Sequence, residues 1–338
     1  MRMRIGAALV VVVFMIGALV VSCGEKEGQD TVKISLGEVT RSLFYAPQYV
    51  AISEGFFEEE GLEVELTTTF GGDKTMTALL SDGIDIALVG SETSIYVAQQ
   101  GATDPVINFA QLTQTDGTFL VAREADDAFD WQSLVGTTFL GQRKGGMPQM
   151  AGEFTLKKHG IDPQADLELI QNIDFANIPA AFASGTGEYV QLFEPQASIF
   201  EQEGRGHVVA SFGEESGNLP YTVFMAKSSY LKDNGEAIAA FTRAIHKAQL
   251  WVMEQDSGVI ADSVLPFFDD TDRELVIMVI DRYKNQGSYA SDPIVDEAEW
   301  NNLLDVMESA RELQERVAHE TLVDTSFAEQ AIQEVAGP

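Results

Sequence analysis

The sequence predicts an α/β fold with two lobes and a helical C-terminal part. Strand-like and helix-like segments alternate from residue 32 to 113 and again from 137 to 212, and amphipathic helices dominate the remainder. Parallel strands need a long crossover, usually a helix, so this alternation favours mostly parallel sheets covered by helices. A chain of 338 residues is long enough for about two domains.

In the first block, segments rich in β-branched residues alternate with helical patterns. Glycines follow three helical segments, at Gly61, Gly83 and Gly101, where a left-handed helix cap fits. The predicted strands are 32–39, 62–69, 84–90 and 106–113, and the predicted helices are 44–61, 73–83 and 91–101.

The second block repeats this pattern before the chain becomes helical. Its predicted strands are 137–142, 167–172, 188–193 and 207–212, and its predicted helices are 147–160 and 177–185. The helix at 236–255 carries an apolar face with 3-and-4 spacing, and 297–317 is also amphipathic. Thr271 and Glu274 predict a capping box before a further helix.

The charge of the chain excludes one class of partner. It contains 21 Lys and Arg against 53 Asp and Glu, a formal net charge of −32. Such a surface repels phosphate backbones and anionic headgroups, so we expect no nucleic-acid partner. Because acidic and apolar residues alternate throughout, the chain is expected to bury a core.

The first 23 residues have the pattern of an export signal. A basic start precedes the apolar run 5–21, and Val20-Val21-Ser22-Cys23 resembles a bacterial lipoprotein signal. We expect a signal peptide at 1–22, lipidation of Cys23, the only cysteine, and a flexible tether at 23–31. An uncleaved membrane anchor is the alternative. Either way, the rest of the chain is expected to be extracytoplasmic and held at a bacterial membrane.

Residues that commonly build catalytic or metal sites form no recognisable set. The four histidines, His159, His207, His246 and His319, are scattered without partners at metal-ligand spacing. The sequence has no phosphate-binding loop ending in Gly-Lys-Ser/Thr and no Gly-x-Ser-x-Gly elbow. We therefore predict neither an enzyme nor a cofactor or metal.

Aromatic and polar residues recur where predicted strands end. In open α/β sheets, ligands bind beyond the carboxyl ends of the strands, where helix N-termini present free N–H groups. Any one of these residues could simply cap a helix or form a turn, but their recurrence favours a ligand site. The candidates are Phe44, Tyr45, Gly71, Gly72, Ser91, Glu92 and Gln114.

Four segments resemble a known family of binding proteins. They are SLFYAPQYVAISEGFFEEEGLEVEL (42–66), TTFGGDKTMTALLSDGIDIALVG (68–90), WQSLVGTTFLGQRKGGMPQM (131–150) and QLFEPQAS (191–198). In content and order they are similar to substrate-binding proteins of ABC importers, in the family that serves nitrate, sulfonates, taurine and thiamine-precursor pyrimidines.

The resemblance implies a hinged, two-lobe type II periplasmic-binding-protein fold. The expected lobes are 32–122 with 222–338, and 123–221. Ligand would bridge them and favour a closed state that docks on a permease and its ATPase. A lipid tether would raise the effective concentration of such a protein, expected to be a monomer, beside the permease.

The resemblance also bears on the ligand. Glu194 lies where thiamine-precursor binders present a carboxylate to an aminopyrimidine, and Phe44, Tyr45 or Tyr221 could stack on the ring. Arg143 and Lys144, beside Gly145 and Gly146, could instead serve an anion. We expect a nitrogen heterocycle such as a pyrimidine or a flavin, with a sulfonate, nitrate or taurine as the alternative.

Proteins of two other functional classes share features with this chain. A pyrimidine synthase related to this family carries a cysteine-rich segment, which is absent here because no cysteine follows Cys23. A ligand-sensing module without a permease remains an alternative, since docking surfaces leave no motif.

Overall fold

The structure, a computed structural model, describes residues 31–336. The predicted signal peptide, Cys23 and the tether up to Asp30 lie outside the described residues. Between residues 31 and 336, no helix is both long enough and apolar enough to cross a membrane.

Ten strands of the described chain form two five-stranded sheets, which confirms the predicted α/β architecture. The first sheet has the order β2-β1-β3-β10-β4 and the second β7-β6-β8-β5-β9. The strands are β1 Val32–Glu38, β2 Leu62–Thr68, β3 Ile86–Gly90, β4 Val106–Thr113, β5 Thr118–Ala122, β6 Thr138–Leu140, β7 Glu168–Ile170, β8 Tyr189–Phe193, β9 His207–Ser211 and β10 Thr222–Lys227.

Helices cover both sheets and make up most of the C-terminal third. They are α1 Ala46–Ser53, α2 Phe56–Glu59, α3 Gly72–Leu80, α4 Glu92–Gln99, α5 Met147–Lys158, α6 Ile178–Ala183, α7 Gln196–Gln202, α8 Phe212–Ser216, α9 Ser228–Asp233, α10 Gly235–Glu254, α11 Ser257–Val264, α12 Arg273–Gln286, α13 Glu297–Ser309, α14 His319–Leu322 and α15 Ser326–Val335.

Both sheets are mixed rather than mostly parallel. In the first, β10 runs antiparallel to β3 and β4, and in the second β5 runs antiparallel to β8 and β9. Each of these strands follows a crossing from the other sheet, so it enters from the edge where its neighbours end. The alternation of strands and helices predicts parallel neighbours, and it does not show where the chain crosses from one sheet to the other.

The first crossing comes earlier than the boundary predicted at residue 122. Strand β5, Thr118–Ala122, pairs with β8 and β9 of the second sheet. The chain therefore leaves the first sheet after Thr113 and joins the second at Thr118. It returns through 212–221 to Thr222.

Two helical segments differ from their predictions: one is divided, and one has a different N-cap. The segment 44–61 is a 3-10 turn at Leu43–Tyr45 followed by α1 and α2, because Gly55 adopts a left-handed conformation with φ of 78°. Helix α12 is capped by Asp272, which accepts from the amide of Glu274, and not by Thr271.

The two faces of β5 show how the second sheet is buried. Phe119 and Val121 belong to the main apolar core, which also contains residues of the first sheet such as Leu36 and Phe224. Leu120, pointing the other way, packs in a smaller cluster with Trp131. Alternation along the strand thus buries both faces, and the main core is continuous between the sheets.

Candidate ligand-binding cleft

The site lies where one edge of each sheet faces the other. In the first sheet, Glu38 is opposite Thr68, and Thr222 is opposite Gly90 and Thr113, so these residues share an edge. In the second sheet, Thr118 is opposite Phe193. Because residues 114–117 join Thr113 directly to Thr118, the two edges must face each other.

The ring of Phe44 lies at the centre of a group of aromatic side chains. Its centroid is 5.0 Å from that of Tyr283, 5.5 Å from Tyr221 and 6.2 Å from Phe193 on the second sheet. Gly117 of the crossing segment packs against it, and a Cβ there would come 2.9 Å from the ring. Phe44 therefore contacts both lobes and the connection between them.

Glu92 is a buried acid that links the two lobes. It begins α4 after β3, and its Oε1 accepts from the amide of Met147, the first residue of α5, at 3.3 Å. Its Oε2 has no hydrogen-bond partner among the described residues. Burial raises the pKa of this carboxyl to about 7.

Asp116, in the crossing segment, is a second buried acid, with no exposed surface. Its Oδ1 accepts from the amide of Thr118 at 2.7 Å and from the Thr118 hydroxyl, whereas Oδ2 has no partner within residues 31–336. Burial raises its pKa to about 7 as well. Gln114 was the candidate predicted at this strand end, and Asp116 was not predicted.

Tyr221 brings these two acids together. Burial raises the pKa of its hydroxyl, and the charges of Asp116 and Glu92 raise it further. Its oxygen nevertheless makes no well-formed hydrogen bond in the described structure. Tyr45, whose pKa is raised by burial and by the charges of Glu38 and Glu92, lies beside it. We call Tyr45, Glu92, Asp116 and Tyr221 the acid–tyrosine cluster.

The Glu194 carboxylate, which was predicted to bind the ligand, is bonded to other groups of the protein. Its Oε1 lies 2.5 Å from the guanidinium of Arg282 and 2.8 Å from the Ser198 hydroxyl, and its Oε2 accepts from the Ser198 amide at 3.0 Å. Each oxygen already has a protein partner. Arg282 belongs to α12, which no sequence motif connects with Glu194.

Two other predicted residues hold the crossing segments in place. The Ser91 hydroxyl donates to the carbonyl of Pro220. The Gln114 side chain donates to the carbonyl of Gly287 at 3.0 Å. Neither side chain is brought into the acid–tyrosine cluster by these contacts.

The predicted glycines lie in loops that approach each other across the lobes. Gly71, with φ of 147°, precedes α3, which begins at Gly72, while Gly145, with φ of 84°, and Gly146 precede α5. The Tyr96 hydroxyl of the first lobe donates to the carbonyl of Gly145 at 3.2 Å. Asp73 and Arg143, next to the two loops, lie 3.6 Å apart.

Two surface cavities lie away from this cluster. One of about 470 Å³ is lined by Ser211, Arg282 and neighbouring residues of β9 and α12. The other, of about 570 Å³, lies between α9 and the loops around α14 and α15. The described residues contain no group of His, Cys, Asp and Glu that could hold a metal ion.

Comparison with known proteins identifies the family. The model of the NMT1-like family matches residues 25–263. The chain belongs to the NMT1-like family. It is 60% identical over 332 residues to "Putative binding protein YtlA" of Bacillus subtilis (strain 168), covering 98% of both chains.

More distant relatives of this NMT1-like chain are also binding proteins. The formylaminopyrimidine-binding protein of Halalkalibacterium halodurans is 21% identical over 299 residues, covering 83% of this chain and 86% of that protein. The alkanesulfonate-binding protein SsuA from Xanthomonas axonopodis pv. citri, solved with MOPS, has a similar fold. Its TM-score is 0.69 at 17% identity, with 87% of this chain and 99% of that chain covered. The expected relationship to binding proteins and the expected fold are thus confirmed.

Proposed function

We propose that this protein is an extracytoplasmic, lipid-anchored solute-binding protein that captures a nitrogen heterocycle and delivers it to an ABC permease and its ATPase. The observation that carries the proposal is the acid–tyrosine cluster. It lies where the facing sheet edges meet, beside the ring of Phe44, and its side chains are at most 6% exposed.

The chemistry of the cluster suits an amino-substituted ring better than an anion. Aromatic faces stack on a planar heterocycle, and carboxyl oxygens accept hydrogen bonds from its N–H groups. A sulfonate or nitrate would be placed beside Glu92 and Asp116, where like charges repel. The formylaminopyrimidine-binding relative supports the same ligand class.

Delivery would depend on lobe closure. The cluster is buried, so ligand reaches it only when the lobes separate. Closure is supported by contacts between the lobes, including Glu92 with Met147 and Tyr96 with Gly145. A ligand that touches both lobes binds the closed state more tightly and shifts the population toward it.

Native mass spectrometry tests the ligand class. Protein lacking residues 1–22 is purified from cells and compared before and after mild denaturation, and a released nitrogen heterocycle is the expected result. Tyr221→Phe, which removes a hydroxyl beside the Asp116 carboxyl, should reduce the bound fraction, and Tyr230→Phe in α9 serves as the matched control. A released sulfonate or nitrate would contradict the heterocycle.

Transport is tested separately from capture. Uptake of the released compound should fall in cells that lack this protein and recover when the protein is expressed again. Unchanged uptake, with binding intact, would favour the ligand-sensing alternative.

A further inference from the structure

The protein pairs most of its buried acids with cations, but not the two in the acid–tyrosine cluster. Five carboxyl groups are buried among the described residues: Glu38, Glu92, Asp116, Glu153 and Glu194. Glu38 has Arg41 at 3.2 Å, Glu153 has Lys157 at 3.8 Å, and Glu194 has Arg282 at 2.5 Å. For Glu92 and Asp116, no salt bridge occurs within residues 31–336.

We propose that Glu92 and Asp116 bind a cationic nitrogen group of the ligand, such as an ammonium, an amidinium or a protonated ring nitrogen. This inference rests on the proposed function and assigns the ligand a positive charge. Burying a carboxylate without a counter-charge is costly. A cationic ligand would supply the counter-charge that the protein does not provide.

The free atoms of the cluster match such a group. Glu92 Oε2 and Asp116 Oδ2 make no well-formed hydrogen bond within the described chain, although the Tyr221 hydroxyl lies close enough to Asp116 to lower the pKa of that carboxyl. Both carboxyl oxygens can accept from N–H donors. An ammonium or amidinium carries several N–H donors and can satisfy more than one of these atoms. The Glu92 carboxylate lies over Gly90, where any Cβ would overlap with Oε2.

Before ligand binds, protons take the place of the cation. With a pKa of about 7, each acid is largely protonated at pH 5.5 and largely ionised at pH 8.5. The titratable groups facing them are tyrosines, Tyr45, Tyr96, Tyr221 and Tyr283, whose raised pKa values keep them neutral over this range, and Glu38 lies beyond Tyr45. Because the folded-state pKa lies above the unfolded value of about 4, stability is lost as pH rises from about 4 to about 7 and stays constant at higher pH.

The first test asks whether the two acids lack a counter-charge. In ligand-free protein, Asp116→Asn and Glu92→Gln should raise the melting temperature at pH 8.5, by about 2 °C or more, and by a smaller amount at pH 4.5, where the unfolded state also holds many of these protons. Glu194→Gln, which alters a paired acid, is the matched control and should lower it at pH 8.5. If the cluster variants also lower it at pH 8.5, the acids already have a counter-charge and the inference is overturned.

The second test measures the preferred charge of the ligand. Benzylamine, benzyl alcohol and benzenesulfonate are added at pH 7.5 to about 20 mM, enough to saturate a millimolar site. Benzylamine should raise the melting temperature most, and Asp116→Asn should reduce that shift. No shift with benzylamine, or a larger one with either other probe, overturns the inference. Stabilisation by benzenesulfonate that Tyr221→Phe abolishes would leave the solute-binding function standing with an anionic ligand.

Discussion

Glu194 and Arg282 show how a carboxylate suited to a ligand can serve the protein instead. The Glu194 side chain is fully buried, and Arg282 reaches it from α12 while also contacting Glu201 at 2.7 Å. The ring of Arg282's neighbour, Tyr283, packs on Phe44, and its hydroxyl donates to the carbonyl of Gly117 at 3.0 Å. This corner thus ties the C-terminal helices to the second lobe and to the crossing segment.

Replacing Arg282 by methionine should destabilise the protein by about 2–4 kcal/mol, because Glu194 would stay buried without its cation. The measurement is urea unfolding at pH 7.5. Arg316→Met, which removes an exposed pair with Asp305 and Glu308, should cost less than about 1 kcal/mol. Equal losses in the two variants would refute a structural role for the buried pair.

The sequence located some residues of the cluster and not others. Tyr45 and Glu92 stand out because they follow predicted strands, and Tyr221 was a candidate only because it could stack on a ligand ring. Asp116 lies in an equally visible strand end, TQTDG, but aspartate before glycine is typical of a turn. The Arg282–Glu194 pair spans 88 residues. No local pattern predicts which distant cation reaches a buried acid.

At the scale of elements, helix α8 fixes the crossing segment to α12. The side chain of Gln286, at the end of α12, donates to the carbonyl of Asp116 at 2.9 Å and accepts from the Ser211 hydroxyl at 2.7 Å. Gly213 lies against both, and a Cβ there would overlap with the Asp116 carbonyl and the Gln286 amide. The three elements can approach only because residue 213 has no side chain.

Gly213→Ala should therefore destabilise the protein by about 1–3 kcal/mol, since a backbone carbonyl must move to admit the methyl group. Gly235→Ala, at the start of α10 where a Cβ meets nothing within 4 Å, is the control and should be neutral or stabilising. Differential scanning calorimetry of both variants measures the difference. A neutral Gly213→Ala would show that this junction is loosely packed.

Element type was easier to predict than element partners. The strands and most helices follow from periodicity, and the break at Gly55 was missed because the apolar pattern continues through it. The antiparallel placement of β10 depends on which sheet edge the returning chain enters. The edge that the chain enters depends on where it leaves the other lobe, and the residue pattern within β10 does not predict this edge.

For the whole molecule, the proposed lipid anchor determines where the protein is found in the cell. Cys23→Ser should move the protein from the membrane fraction into the soluble fraction of fractionated cells, because the acyl chains provide the proposed hold on the bilayer. Ser22→Ala, which leaves the cysteine in place, serves as the control. Retention of Cys23→Ser in membranes would favour an uncleaved apolar helix.

The strand order also dictates a sequence of assembly. Strand β4 adjoins only β10 in the first sheet, and β10 follows it by more than a hundred residues. When the chain is synthesised from its N-terminus, β1, β2 and β3 can pair with one another first. Strand β4 can pair only after β10, Thr222–Lys227, has been made. Strands β5 to β9 are contiguous in the chain and complete their sheet in the meantime. The inserted lobe can thus be finished before the lobe that surrounds it.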